Sequence, residues 1–340
     1  MPPLATISII SIGQMGLGIA HLLSAHNYTI LTNITGRSPA THARAKAANI
    51  TCLPTDVDLV KQSDYIFSIV PPRDAIATAT RIVNAFKAVE AEGGRKGKSE
   101  PLYYLDMNAI APSTARKIED LFKENAPEIR LIDGGIIGGP PSPPSTSPSS
   151  TASNPPNPEQ WYRPGVPLSG PHPLASAPKS GSNLSTLLNT NFLSAHIGTA
   201  SGLKCSFAAL TKGFTALSLQ SYTTATNLGC RDMLEQYLEK YNPNAKGKAE
   251  KGIVGCPPKA YRWVEEMHQI GKCFTEDGGW SEEANVFGRV AGVYGELAQV
   301  VEKRGGTEGM GELEGAMAAL KKGLQDGKIT KEELAQIIAE

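Results

Sequence analysis

Up to Gly139 the apolar positions of the chain fall into short, near-continuous runs, and each run is followed by a stretch with three-to-four-residue spacing. Ile7–Ile12, Tyr28–Ile34, Tyr65–Val70, Leu102–Asp106 and Ile129–Asp133 read as strands, and Met15–Ala25, His42–Ala48, Asp74–Ala88 and Pro112–Lys123 as helices. Buried apolar strands alternating with helices of about 10–15 residues predict a parallel sheet covered on both faces. Beyond Ile197 the strand pattern stops. Amphipathic helices are predicted at Leu203–Leu228, Arg231–Tyr241, Lys259–Phe274 and Glu282–Lys303, with two short ones after Met310. The fold class is therefore α/β, a doubly wound Rossmann domain over 1–197 followed by an all-helical domain over 198–340.

Composition adds one feature to this picture. Pro140–Pro158, PPSPPSTSPSSTASNPPNP, is almost wholly Pro, Ser, Thr and Asn and has nothing to bury. The stretch 140–163 reads as a disordered or polyproline-like surface loop, a tolerated insertion rather than a proline-motif ligand.

A length of 340 residues exceeds one typical core. Thirty-three basic and 33 acidic residues balance, so no global field steers the chain to nucleic acid or an anionic membrane. No apolar run reaches the ~18–20 residues that span a bilayer. The first strand begins by about Ala5, which leaves no room for a signal peptide. Cys52, Cys205, Cys230, Cys256 and Cys273 are scattered and read as reduced thiols of a cytoplasmic protein. No metal is expected. His21, His26 and His42 lack ligand spacing, and the calcium-loop-like Asp326-Gly327-Lys328…Glu333 has Lys322 and Leu324 at its first two ligand positions.

The chemistry begins at ISIISIGQMGLGIAHLL, Ile7 to Leu23. It reads as strand, glycine turn and helix, with Ser11 in the place of the first glycine of G-x-G-x-x-G. Gly13 permits close approach of a pyrophosphate, Gly16 lets the helix pack on the strand, and the helix start at Gln14 and Met15 presents free N–H groups. At the end of the second strand, Thr32 to Ser38 holds no acid to bind a ribose 2′-hydroxyl. Arg37 and Ser38 instead suit a 2′-phosphate. The cofactor expected is NADP(H).

These stretches, with Ser68-Ile69-Val70-Pro71-Pro72, Asp106-Met107-Asn108, Pro112 and Asp133–Gly139, occur in the order seen in the β-hydroxyacid dehydrogenases. The chain most resembles the 6-phosphogluconate-dehydrogenase-like proteins with an uncharacterised C-terminal domain, which share an Arg-Trp…Glu-Met stretch, here Arg262–Met267. The resemblance implies hydride transfer between NADPH and a small-molecule carbonyl in the cleft between domains. It places the nicotinamide near Val70, Pro71, Pro72 and Asn108, and it implies a homodimer paired through the helical domains.

It also implies a catalytic lysine on the long helix, for which Lys204 and Lys212 compete. Leu203, Phe207, Leu210, Phe214 and Leu217 form an apolar stripe, Lys204, Ala208, Thr211, Thr215 and Ser218 a small polar strip beside it, and Lys212 projects opposite the stripe. Position after Gly198–Gly202 favours Lys204 as general acid and base. Around it, Ile137, Gly138, Gly139, Ala208 and Thr211 would face substrate. The family's serine before Gly138-Gly139 is Ile137, its asparagine after the lysine is Ala208, and its Ser/Thr pair is Asn108-Ala109. A small, polar hydroxyacid is thereby disfavoured. A larger and less polar ketone fits better, or an imine as in the related imine reductases. A different class of function is a non-catalytic NADPH-binding sensor or scaffold, with the Pro/Ser loop as partner site. His268 and Tyr222 read as ordinary surface or packing residues.

Overall fold

A computed structural model describes residues 2–144 and 160–325. One sheet organises the first part of the chain. Its strands are β1 (Thr6–Ile10), β2 (Thr29–Thr32), β3 (Thr51–Cys52), β4 (Tyr65–Ser68), β5 (Tyr103–Asp106), β6 (Arg130–Gly134), β7 (Val166–Ser169) and β8 (Thr190–Ser194). They lie in the order β3-β2-β1-β4-β5-β6-β7-β8. The helices between them are α1 (Gln14–Ala25), α2 (Pro39–Ala47), α3 (Asp56–Gln62), α4 (Ala75–Ala91), α5 (Pro112–Asn125) and α6 (Gly181–Leu187).

The strands form for the reason the sequence suggests. Ile7, Ile9, Tyr65, Phe67 and Leu105 feed one buried cluster, while Ile10, Ile66 and Tyr104 feed another. Alternate side chains of these strands enter opposite layers, so neither face of the sheet's centre meets water, while the outer strands β3 and β8 are largely exposed. The sheet is nonetheless mixed, because β7 runs antiparallel to β6, pairing Asp133 with Ser169. The order of the strands matters most for function. The chain moves outward from β1 through β2 to β3, then returns to place β4 on β1's other side. That reversal is the switch point at which such sheets bind ligands. It lines up the ends of β1, β4, β5 and β6, and hence the quoted motifs, along one edge.

The expected loop 140–163 is corrected at both ends. Ser142 and Tyr162 pair across an antiparallel bridge, with N–H to O distances of 3.1 and 2.9 Å. Trp161 is buried and meets His26 edge-on. The Pro/Ser segment 145–159 lies outside the described residues.

The helical part comprises α7 (Thr199–Leu228), α8 (Arg231–Tyr241), α9 (Pro243–Gly255), α10 (Ala260–Glu276), α11 (Phe287–Lys303) and α12 (Leu313–Gln325). The second of the short helices expected after Met310 falls beyond the described residues, as does the calcium-loop-like segment. The described residues form two compact units, one up to Phe207 together with Glu276–Gly278, the other Ala208–Thr275 and from Gly279 onward. The chain passes from the first to the second along α7. That helix carries its apolar stripe outward: Leu210 is 80% exposed and Leu217 60%. Ala208, Thr215 and Ser218, from the strip beside it, are buried.

Candidate functional site

The glycine turn after β1 is an open cradle. Ser11 adopts φ +81°, the left-handed conformation that a glycine would take without strain. Gly16 has no alternative, since a Cβ there would stand 2.2 Å from the Ser11 carbonyl oxygen. At Gly13 a Cβ would meet nothing within 4 Å. Gly13 precedes α1 without any side-chain cap, and the Leu17 N–H donates to its carbonyl at 2.9 Å. The Gln14 and Met15 amides therefore lack intrahelical acceptors and present donors and positive dipole to an anion. The residues fit a dinucleotide pyrophosphate. Replacing Ser11 by Gly should raise stability by about 1 kcal/mol, the left-handed penalty less the backbone entropy of glycine. Thermal unfolding checks this, and an unchanged or lower melting point would show that Ser11 carries no strain.

The corner beyond β2 holds more cations than the sequence suggested. Arg37 is exposed, and Ser38 caps α2, accepting from the Thr41 amide at 3.4 Å. Arg44, one turn further along, donates to the Ile12 carbonyl at 3.2 Å and to Thr41 Oγ1 at 2.9 Å. Its guanidinium thus stands beside the glycine turn, a placement hidden in sequence because Arg44 lies 32 positions after Ile12. The acid at this corner, Asp56, is engaged by Arg81 at 2.9 and 3.0 Å and by Asn33 at 2.8 Å.

At the end of β5 the geometry changes the role expected of Asn108. Its side chain is 2% exposed and turned inward. Its Oδ1 accepts from the Val70 N–H at 2.6 Å, while Nδ2 donates to Asp106 Oδ2 at 3.0 Å and Ser68 Oγ at 2.9 Å. Asn108 therefore staples the loop after β4 to the end of β5. In that loop Val70 and Pro72 are buried and Pro71 is exposed. Burial pushes the Asp106 carboxyl up to about 7, with Asp133 adding to the rise and the Asn108 bonds opposing it.

Asp133, opposite Asp106 on β6, is the hub of the site. Its Oδ2 accepts from Ser169 Oγ at 2.8 Å, the Gly198 amide at 2.9 Å and the Ser201 amide at 3.2 Å, and its Oδ1 from Ser201 Oγ at 2.5 Å. Ser169 Oγ in turn accepts from the Ala200 amide at 3.0 Å. A buried carboxylate and a serine thus satisfy the opening N–H groups of a 30-residue helix. One turn along that helix, Lys204 Nζ donates to the Ile136 carbonyl at 2.6 Å. The fit is tight: a Cβ at Gly135 would lie 2.9 Å from Lys204 Cβ. The chain from Asp133 to Ile136 therefore both caps α7 and receives its lysine.

Lys212 sits differently. It pairs with Glu266, lies 4.8 Å from the centre of the Trp263 ring, and is fixed from behind by the Tyr294 hydroxyl, which donates to its carbonyl at 2.6 Å. Burial pulls its ammonium below the ordinary value and Glu266 resists. It is an interior ion pair of the helical unit.

The Gly-Gly segment is already bonded. Ile137 and Gly165 exchange N–H···O bonds of 2.8 and 2.9 Å, and the Gly139 amide donates to Tyr162 Oη at 3.0 Å. Gly138, at φ +128°, would bring a Cβ within 3.0 Å of the same oxygen. Tyr162, masked in sequence by its Pro-rich surroundings, thus takes up the Gly139 amide in the segment expected to face substrate. Further along α7, Ala208 is 4% exposed and Thr211 exposed, its hydroxyl donating to the Ala208 carbonyl at 3.3 Å. Tyr222 is buried, with its hydroxyl lacking a partner, and His268 is exposed. Among the described residues no cluster of His, Cys, Asp or Glu has metal-binding geometry.

The fold and this edge define a dinucleotide-binding domain joined to a helical one, and comparison with known proteins places both. Residues 6–89 match the family described as NADP oxidoreductase, coenzyme F420-dependent, and residues 225–297 match a domain of unknown function, DUF1932. An uncharacterized 28.5 kDa protein of Methanothermus fervidus is 24% identical over 252 residues, 72% of this chain and 80% of that one. Among solved structures, a conserved protein described as similar to 3-hydroxyacid dehydrogenases covers 86% of this chain and 97% of its own, at 20% identity and TM-score 0.55. Mycobacterium tuberculosis 3-hydroxyisobutyrate dehydrogenase with L-serine covers 95% and 99%, at 12% identity and TM-score 0.57. The chain has the fold of the hydroxyacid dehydrogenases, with an N-terminal domain of the nicotinamide-dependent oxidoreductase type and a DUF1932 domain after it.

Proposed function

We propose that the protein is an NADP(H)-dependent oxidoreductase that moves hydride between the cofactor and the carbonyl carbon of a small, relatively apolar substrate, with Lys204 as general acid and base. The observation that carries the reading is the Lys204 ammonium, held at the end of β6 by the Ile136 carbonyl at 2.6 Å, on the sheet edge that also bears the open Gly13 turn. The amides of Gln14 and Met15 bind the pyrophosphate, and Arg37, with Ser38 and Arg44 beside it, takes the 2′-phosphate. Val70, Pro71 and Pro72, fixed by Asn108, form the wall at the nicotinamide. When bound, the nicotinamide supplies or accepts the hydride. During reduction the carbonyl π pair moves onto oxygen, and Lys204 Nζ gives that oxygen a proton. During oxidation neutral Lys204 takes the proton back.

Ile137, Gly138 and Gly139, in the same unit as Lys204, are the proposed substrate contacts, with Tyr162 added over the Gly-Gly pair. The side chain of Ile137 offers no hydrogen bond to a polar anchor, which supports an apolar ketone and, as a second reading, a C=N substrate. Screening carbonyls and imines with NADPH separates the two. Tight NADPH binding with no turnover of any compound would instead support a sensor or scaffold. No described helix is long and apolar enough to cross a membrane, and all five cysteines are free, which supports a cytoplasmic protein.

Two results are expected. Arg37→Glu should weaken NADPH at least tenfold while leaving NADH nearly unchanged, since it reverses the charge at the 2′-phosphate alone. Nicotinamide fluorescence titration reads both, and equal losses would remove the NADP assignment. The outward Leu203, Phe207 and Leu217 on α7 support pairing with a second copy, because exposed apolar patches of this kind mark interaction surfaces. Sedimentation velocity should show a dimer that Leu217→Glu shifts to monomer; a monomeric wild type would refute the pairing.

A further inference from the structure

The helical unit holds a cavity that the proposed reaction does not use. Helix α9 presses closely on α7, where a Cβ at Gly252 would meet Thr215 Oγ1 at 2.6 Å. Near that contact, the two helices border a cavity of about 540 Å³. This is the size range of small-molecule sites.

Its chemistry is two-sided. Leu210 and Phe214 of α7 supply an apolar wall. Thr211 and Thr215 add little polarity, because their hydroxyls donate to carbonyls of their own helix, Ala208 at 3.3 Å and Thr211 at 3.1 Å. The α9 side carries Lys248 and Lys251, which are three residues apart and so share one helix face. Both are exposed, and among the described residues neither has an ion-pair partner within 4.0 Å. The nearby acids Glu239 and Glu250 are held by Lys246 instead, at 3.4 and 3.0 Å. No carboxylate lines the cavity.

We propose that this cavity binds a small amphiphilic anion, a carboxylate on an apolar chain, with its head between Lys248 and Lys251 and its tail on Leu210 and Phe214. Two unpaired ammonium groups above an apolar bed favour this class over others. A neutral molecule leaves the lysines unmatched, and a small polar anion leaves the apolar wall wet. Every lining residue belongs to the helical unit, so the site stands or falls independently of NADPH binding.

Calorimetry of the full chain with dodecanoate below its micelle concentration tests this, with acetate and dodecanol as controls. Saturable one-to-one binding is expected for dodecanoate, at least tenfold tighter than for either control and weakened by raised salt. The double variant Lys248→Gln/Lys251→Gln should lose at least tenfold in affinity with unchanged thermal unfolding and unchanged NADPH titration. Ala245→Trp, which fills the cavity from α9, should abolish binding. Failure to saturate, equal affinity for dodecanol, or full affinity in the double variant would overturn the proposal. So would dodecanoate that binds only as the protein dissociates, since a second copy would then be the occupant.

Discussion

Replacing Asp133 by Ala is expected to destabilise the sheet domain by about 3 kcal/mol or more. The Gly198 and Ser201 amides and the Ser169 hydroxyl would lose one shared acceptor in a buried site, and each unmatched donor costs about 1–3 kcal/mol. Asp133→Asn should retain most of the stability. With its oxygen in the place of Oδ2 it still accepts those bonds, and its amide can donate to Ser201 Oγ. Urea unfolding followed by tryptophan fluorescence compares the two, and equal losses would show that the cap does not anchor α7.

The pair also separates charge from hydrogen bonding. Burial raises the Asp133 carboxyl above its ordinary value, against the bonds from Ser201, Ser169 and Gly198. The unfolded chain therefore releases this proton first as pH rises, and stability falls from about pH 4 upward until the folded carboxyl has also ionised. The Asn variant lacks that slope. The stability of wild type relative to D133N should accordingly decrease with rising pH above about 4, and a difference independent of pH would mean that Asp133 is not raised.

The alternation of strand and helix was legible because the two periodicities are local. So was the glycine turn, since Gly13 and Gly16 answer to backbone geometry within a few residues. The elements that stayed hidden lack such a signature. Helix α9, PNAKGKAEKGIVG, carries few apolar residues and three glycines, and the α7 contact at Gly252 holds it rather than its own pattern. Strands β7 and β8 follow the Pro/Ser segment, and their order and direction are set by pairing with β6, which no local pattern encodes.

Helix α7 shows a subtler limit. Periodicity correctly put Lys212 opposite the apolar stripe, yet it cannot say which side faces inward. The stripe faces out and Lys212 goes in, with Glu266 as its partner. Asn108 and Tyr162 illustrate the same point for the site. The sequence gives a polar side chain at a strand end, but only long-range contacts decide that Asn108 binds Val70 and that Tyr162 covers Gly139.

That difference between the two lysines yields the second large effect. Lys204→Met should reduce turnover by about 10²–10⁴, the usual contribution of a positioned general acid, while NADPH affinity stays within twofold or so of wild type. Lys204→Arg should not restore it, because a guanidinium does not give up its proton in the working range. Lys212→Met should act on folding instead. It leaves Glu266 buried without its cation, with both side chains only 15% exposed, which costs about 3–5 kcal/mol. Turnover per folded molecule should then persist. Single-turnover rates with NADPH, normalised to the folded fraction, distinguish the two residues. A Lys204→Met enzyme that still turns over, beside a folded Lys212→Met enzyme that does not, would move the proton-transfer role to Lys212, and with it the reacting carbon two turns along α7.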